Sequence, residues 1–256
     1  MTVERTELLQ PEPAQALAAL LGVPLPDLDE LPLLWHWLYL LDRPAQADLG
    51  PDGHAVRGTV PAPPSPGRRR MWAGGRVTAL GPLRCGEPAT RHSQILSVQE
   101  KQGRSGPLTF VVAQHLVVQS GQTVVDEQQD IVYRQADPLP VPEDGPVVPL
   151  SAGEWSVDVT PTLLFRFSAL TYNAHRIHYD RDYARDVEGY PGLLTHGPLQ
   201  ALAMAEAARA RGRYRSIEYR LVAPLFDHQG MVVRAENGTA AVRDRHGRRT
   251  ATSTLA

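Results

Sequence analysis

Between Met71 and Arg134 the chain is written almost entirely in residues that favour strands. The runs "RVTAL", "ATRHSQILSVQEK", "LTFVVAQHLVVQS" and "TVVDEQQDIVYR" combine β-branched side chains with turn signals at Gly103, Gly106 and Gly121. Strands this close together have no room for crossover helices, so they pair antiparallel. The C-terminal end repeats the pattern in "YRSIEYRLVAPLF", "GMVVRAEN", "GTAAVRDR" and "GRRTATSTLA". A helix candidate precedes each set. Residues 31 to 41, "LPLLWHWLYLL", form a compact apolar segment introduced by acids and Pro32, and "GPLQALAMAEAARARG" is an alanine-rich helix ending at Gly212. The expected fold class is α+β, in two halves, each a curved antiparallel sheet around one helix.

A short internal echo fits duplication: "RVTALGPLRCGE" and "EYRLVAPLFDHQG" share an arginine, a later Pro-Leu pair and a glycine beyond it. Two tracts rich in proline punctuate the chain. "DRPAQADLGPDGHAVRGTVPAPPSPGRRR" is too rich in Pro and Gly for regular structure, and its length points to function rather than simple connection. "ADPLPVPEDGPVVPL" is the expected linker, dividing residues 1–140 from 141–256. Beyond it, "EWSVDVTPTLLFRFSAL" reads as a strand and an approach segment.

The totals exclude several function classes. With 256 residues, 42% hydrophobic content and a net charge of -2, the chain has an ordinary soluble profile and no electrostatic reason to bind nucleic acid. Cys85 is the only cysteine, so an intramolecular disulfide is impossible and thiolate zinc sites are nearly excluded. The start "MTVERTELLQ" lacks the apolar core of a signal peptide, and the longest apolar run is far too short to span a bilayer. The expectation is a cytoplasmic protein with no membrane partner.

The densest reactive cluster is "SALTYNAHRIHYDRDYARDVEGYPGLLTHG". His175 and His178, three apart, would share a helical face, and Asp180 or Asp182 could complete a metal site. HxxH alone is a weak signal, however, and no metal is expected. Histidines here could equally do no more than hydrogen-bond a surface loop. The second half of the stretch favours acid–base chemistry, because His196 and Gly197 stand where the alanine-rich helix begins. Exposed N–H groups at a helix start carry partial positive charge and suit a developing oxyanion, such as the enolate of a thioester. A histidine about twenty residues upstream then supplies the base for adding water across a conjugated C=C, or removing it.

These motifs resemble the MaoC-like hydratases and dehydratases of the hot-dog fold. That family's signature is an acid, a variable residue, Asn-Pro, another residue and His, followed later by "HG" at the central helix. "NAHRIH" stands at the signature, with Asn173 in place of the aspartate, His175 and Arg176 in place of Asn-Pro, and His178 at the catalytic histidine. "LLTHG" matches the helix-start motif. The fuller form, with "RRRMWAGGRV", "EKQGRSGPLTFV" and "EQQDIVYR", is similar to the branch holding mesaconyl-C4-CoA and itaconyl-CoA hydratases and type 2 hydroxyacyl-thioester dehydratases. The resemblance runs from about Leu31 onward. It implies a double hot-dog, with two antiparallel sheets each wrapped around a central helix, and one active site, in the C-terminal half.

The resemblance also implies roles. His178 is the acid–base group, Gly197 N–H holds the enolate oxygen, and Asn173 orients the water, since an amide cannot exchange protons. Expected substrate contacts are His175, Arg176, His196, Arg68, Arg69, Arg70 and Trp72, with Arg176 as a clamp for a distal carboxylate and the arginine triplet for coenzyme A phosphates. Arg176 could instead pair with Asp180 or Asp182. Trp35, Trp37 and Tyr39 read as core or as lining of an acyl tunnel. The implied enzyme is a hydro-lyase acting on a short or C5-dicarboxylic acyl-CoA, with no cofactor beyond the coenzyme A of its substrate. A homodimer or higher homo-oligomer is compatible with it. The alternatives are a 3-hydroxyacyl-ACP dehydratase, an acyl-CoA thioesterase with Glu206 as a poorly placed carboxylate, and a non-catalytic acyl-CoA-binding protein.

Overall fold

In the computed structural model, residues 2–60, 67–103, 106–135 and 144–256 are described. Among these residues ten strands and three α-helices follow in the order β1 (Val3–Leu8), α1 (Pro11–Leu21), β2 (Arg68–Ala79), β3 (Pro88–Gly103), β4 (Gly106–Gln119), β5 (Gln122–Gln135), β6 (Glu154–Val157), α2 (Pro161–Leu170), α3 (Gly197–Arg209), β7 (Ser216–Leu221), β8 (Met231–Glu236), β9 (Thr239–Arg243) and β10 (Arg249–Leu255). They form one antiparallel sheet in the order β1-β3-β4-β5-β2-β7-β10-β9-β8-β6. The α+β hot-dog reading holds, but the two expected sheets are joined into one. The join is β2 against β7, with Gly75 opposite Tyr219 and Val77 opposite Ile217. The two echoed segments are therefore neighbours at the centre of the sheet. A Cβ on Gly74 would lie 2.4 Å from Tyr219 O, and one on Gly75 would lie 2.4 Å from Gln128 O. Bare backbone is what lets the two strands meet so closely.

Strand β4 shows how sequence sets the inner face. Its residues alternate along the whole strand, with Thr109, Val111, Ala113, His115, Val117 and Gln119 buried. Helix α3 is buried on nearly every side, from Leu199 through Glu206. Its alanines let it sit close against β8, β9 and β10.

Residues 31–41 do not make the expected helix. They form one 3₁₀ turn, Trp35–Leu38, bracketed by Leu34 (φ 72°) and Leu40 (φ 56°) in the left-handed region. Tertiary hydrogen bonds outweigh the local pattern: Trp35 Nε1 donates to Glu206 on α3 (2.8 Å) and Trp37 Nε1 to Glu127 on β5 (2.7 Å). The approach segment after β6 is helix α2. Thr160 caps it by accepting from Leu163 N (3.1 Å), and Pro161 opens it. Strand β1 and helix α1 carry no strong sequence signal. Most of the expected linker lies outside the described residues.

Candidate active site

Helix α2 stops at Leu170, and Tyr172 turns the chain through a left-handed conformation (φ 52°). Asn173 then anchors the loop: its N–H donates to Ser168 O (2.8 Å) and its Oδ1 accepts from His175 N (2.9 Å). A 3₁₀ turn, Arg176–His178, carries the second imidazole inward, leaving His178 only 7% exposed. His178 Nδ1 lies 2.7 Å from Leu194 O. A carbonyl only accepts, so Nδ1 carries the proton and Nε2 is left as a base. One face of the ring stacks on His196, with centroids 3.6 Å apart and planes 18° from parallel. Burial, above all, lowers the pKa of His178 to about 4 and holds that of His196 well below the ordinary imidazole value.

Leu194 N returns a bond to Ile177 O (3.0 Å), tying the signature loop to "LLTHG". Helix α3 starts at Gly197, with Pro198 at its second position. The first-turn N–H has no intrahelical acceptor, so Gly197 presents a donor to the adjoining space. That space is a cavity of about 1380 Å³. Asn173, His175, His178, Thr195 and Gly197 line it from one side, and Trp37, Arg68, Arg69, Arg70 and Trp72 from the other. A base, a polar amide and an oxyanion donor thus face one compartment, the minimum for moving water on or off a thioester-conjugated double bond.

Two expected substrate contacts do not face it. His196 is fully buried, with Nε2 2.9 Å from Ser168 Oγ, and acts as the platform under His178. Arg176 points away. Its Nε and Nη2 donate to Asp180 Oδ2 (3.0 and 2.8 Å), Nη1 donates to Pro51 O (3.0 Å), and its guanidinium lies over the Tyr183 ring at 4.1 Å. All three guanidinium nitrogens and one stacking face are already committed, so the carboxylate clamp is replaced by a structural staple. Among the arginine triplet, Arg68 donates to Thr109 Oγ1 (2.9 Å) and Arg69 binds Glu188. Arg70 stands 5.7 Å from the Tyr133 ring centroid. Trp72 donates to Gly74 O (3.0 Å) and Tyr219 OH (2.9 Å), which fixes it as wall.

The structure adds a pair from the long loop that sequence did not single out. Asp52 and His54 line the same cavity. His54 Nδ1 sits 3.0 Å from Asp52 Oδ2, and the His54 ring centroid is 3.9 Å from that of His175. Asp52, His54 and His175 each place one donor atom within 4.8 Å of the others, a set of one carboxylate and two imidazoles that a divalent ion would accept. The only signal in the sequence was a glycine-flanked histidine in a loop too long to be a plain connection.

The sequence model for hydroxyacyl-thioester dehydratase type 2 matches residues 34–227. The chain belongs to the type 2 hydroxyacyl-thioester dehydratase family. The mesaconyl-C(4)-CoA hydratase of Chloroflexus aurantiacus is 47% identical over 84% of this chain and 79% of that protein. The mitochondrial type 2 hydroxyacyl-thioester dehydratase of Schizosaccharomyces pombe is 25% identical over 76% and 74%. Among solved structures, a MaoC-like dehydratase from Phytophthora capsici superposes with a TM-score of 0.65 at 16% identity, covering 100% of this chain and 95% of that one, a likeness of fold. For a member of this dehydratase family, the carboxylate on the central helix is not a spare nucleophile. Glu206 is 4% exposed and bound to the Trp35 indole and to Arg209, with Arg209 Nη2 at 2.6 Å.

Proposed function

We propose that the protein reversibly hydrates a 2-enoyl-thioester, with a short C5-dicarboxylic enoyl-CoA such as mesaconyl-C4-CoA or itaconyl-CoA as its substrate. The observation that carries the reading is the single compartment holding His178 Nε2 and the first N–H of α3. The 47% identity to a mesaconyl-C(4)-CoA hydratase supports the substrate class. In the reaction, the thioester carbonyl accepts from Gly197 N–H. Asn173, whose Oδ1 is engaged by His175 N, donates through Nδ2 to the water oxygen. His178 Nε2 takes a water proton as oxygen bonds to Cβ, and the enolate forms against the helix start. Dehydration reverses these steps.

Coenzyme A enters as part of the substrate, and no separate cofactor is invoked. Arg68, Arg69 and Arg70 are the proposed contacts for its phosphates, supported by their place on the cavity wall. Among the described residues no helix is long and apolar enough to cross a membrane. A cytoplasmic setting and a homodimer or higher homo-oligomer belong to the same proposal, as does a first half (1–140) without catalytic motif beside an active-site half (141–256). The test is a panel of crotonyl-, mesaconyl-, itaconyl- and a longer enoyl-CoA, with products identified by mass spectrometry. Water addition that disappears in His178→Ala establishes the hydratase. Release of free coenzyme A would replace it with a thioesterase.

A further inference from the structure

Hydration needs two proton transfers, one from water as oxygen reaches Cβ and one to Cα as the enolate collapses. The signature here has an amide where an exchangeable carboxylate would stand, and Asn173 can do neither transfer. His178 can accept the first proton, but its Nδ1 partner is a carbonyl and its ring neighbours are the imidazoles of His175 and His196, with no carboxylate among the described residues bonded to it. His175 has the same difficulty: burial, together with His54, His178 and Arg70, pushes its pKa well below the ordinary value.

Resting on the hydratase reading, we propose that His54, held by Asp52 on the loop of the first half, is the second acid–base group, giving the proton to Cα on hydration and removing it on dehydration. His54 is a carboxylate-backed imidazole at this cavity. Asp52 Oδ2 fixes the proton on Nδ1, so Nε2 is the atom that gives up or takes the second proton. The side chain keeps 24% exposure.

The loop is built to deliver this pair. Gly50 N donates to His54 O (2.7 Å), His54 N to Asp52 Oδ1 (3.0 Å), and Gly53 N to Gly50 O (2.9 Å), closing a tight turn. Gly53 (φ 87°) packs so hard on the signature loop that a Cβ there would stand 1.8 Å from Ala174 O. Arg176 closes the other side, with its backbone N donating to Asp52 O (2.9 Å) and Nη1 to Pro51 O (3.0 Å). The arginine expected to hold substrate instead staples the first-half loop onto the second-half site.

The protons balance. Water gives one to His178 Nε2 as its oxygen bonds to Cβ, and protonated His54 gives one to Cα. As product leaves, His178 gives its proton to solvent through the cavity that both histidines line, and His54 takes one from solvent by the same route. One water is added and both imidazoles are restored.

The test compares His54→Ala, His54→Gln and Asp52→Asn with wild type on the panel substrate that wild type hydrates best. Both histidine variants should lose about 100-fold or more in kcat, the range of a positioned acid–base group. Added imidazole should restore His54→Ala at least about tenfold, since a small base can enter where the side chain was removed. Asp52→Asn should lose about tenfold and add nothing to His54→Ala, because the two act as one unit. Activity of His54→Gln within about threefold of wild type would overturn the role, since glutamine keeps the shape but carries no proton. Additive losses, or no imidazole rescue, would overturn it too. Wild-type activity that falls with chelator and returns with zinc would make Asp52, His54 and His175 a metal site instead. A wild type inert on every enoyl-CoA would sink the hydratase reading itself, whereas an active wild type with active His54 variants sinks only this role. If the histidine variants do not fold, Asp52→Asn carries the test alone.

Discussion

Burial keeps the His178 ring neutral near neutral pH, which leaves it free to accept a proton in the proposed role of base. Burial to 7% exposure and the neighbouring His54 lower its pKa, while the carbonyl on Nδ1 opposes them in part and fixes the tautomer, leaving Nε2 unprotonated. His178→Ala is expected to lose about 100- to 10,000-fold in kcat, while Asn173→Ala, which loses an orienting donor only, keeps a measurable rate. Near-zero effects of both substitutions would remove this assignment. The acid limb of kcat/KM should stand near pH 4 rather than 6.5, with His54, His175 and His196 the titratable groups facing the ring. Stability follows the same shift. The folded pKa lies below the unfolded value, so the unfolded chain binds the extra proton as pH falls from 6.5 towards 4, and the fold is weakened across that window by up to about 3 kcal/mol. Thermal melts at pH 7, 5.5 and 4 check it, and His178→Gln should flatten the slope. Asn173, His178 and Gly197 were legible because their spacing is a local property of the chain. The direction of Arg176 was not, since Asp180, Tyr183 and Pro51 compete for it only once the loop is folded.

Helix α3 was legible from its alanine content, which its burial explains, although it ends at Arg209 rather than at Gly212. What it binds was not. Glu206 is a buried carboxylate, matched by the Trp35 indole and Arg209. Glu206→Gln should keep turnover while lowering stability by about 1–3 kcal/mol, because a charge-assisted partner is lost in a buried place. A melting curve beside the panel assay checks it, and loss of turnover with the fold intact would reopen the thioesterase reading. The same contact defeats the helix expected over 31–41. Two indoles two residues apart reach carboxylates on α3 and β5, and the backbone bends at Leu34 and Leu40 to let them. Local apolar pattern could not reveal partners 171 and 90 residues away.

At the level of the whole molecule, the halves share one sheet and one cavity. Gly75 sits at the join between its two neighbouring strands, with Gln128 O on β5 and Tyr219 OH on β7 2.4 and 2.9 Å from where a Cβ would stand. Gly75→Val should cost about 1–3 kcal/mol by forcing backbone apart. Denaturant melts measure it, and an unchanged midpoint would show that the strands can separate without cost.

The sequence by itself determined the strands after β1, the central helix, the family and the three residues whose spacing forms the signature, because periodicity, helix propensity and motif order are properties of neighbours along the chain. Only the tertiary structure decided that the two sheets fuse through β2 and β7, that Arg176 staples rather than binds, and that Asp52 and His54 reach the cavity from the other half. Each of those depends on which groups meet across long separations. That is settled by close approach at glycines and by competition for buried hydrogen-bond partners, neither of which leaves a local mark in the chain.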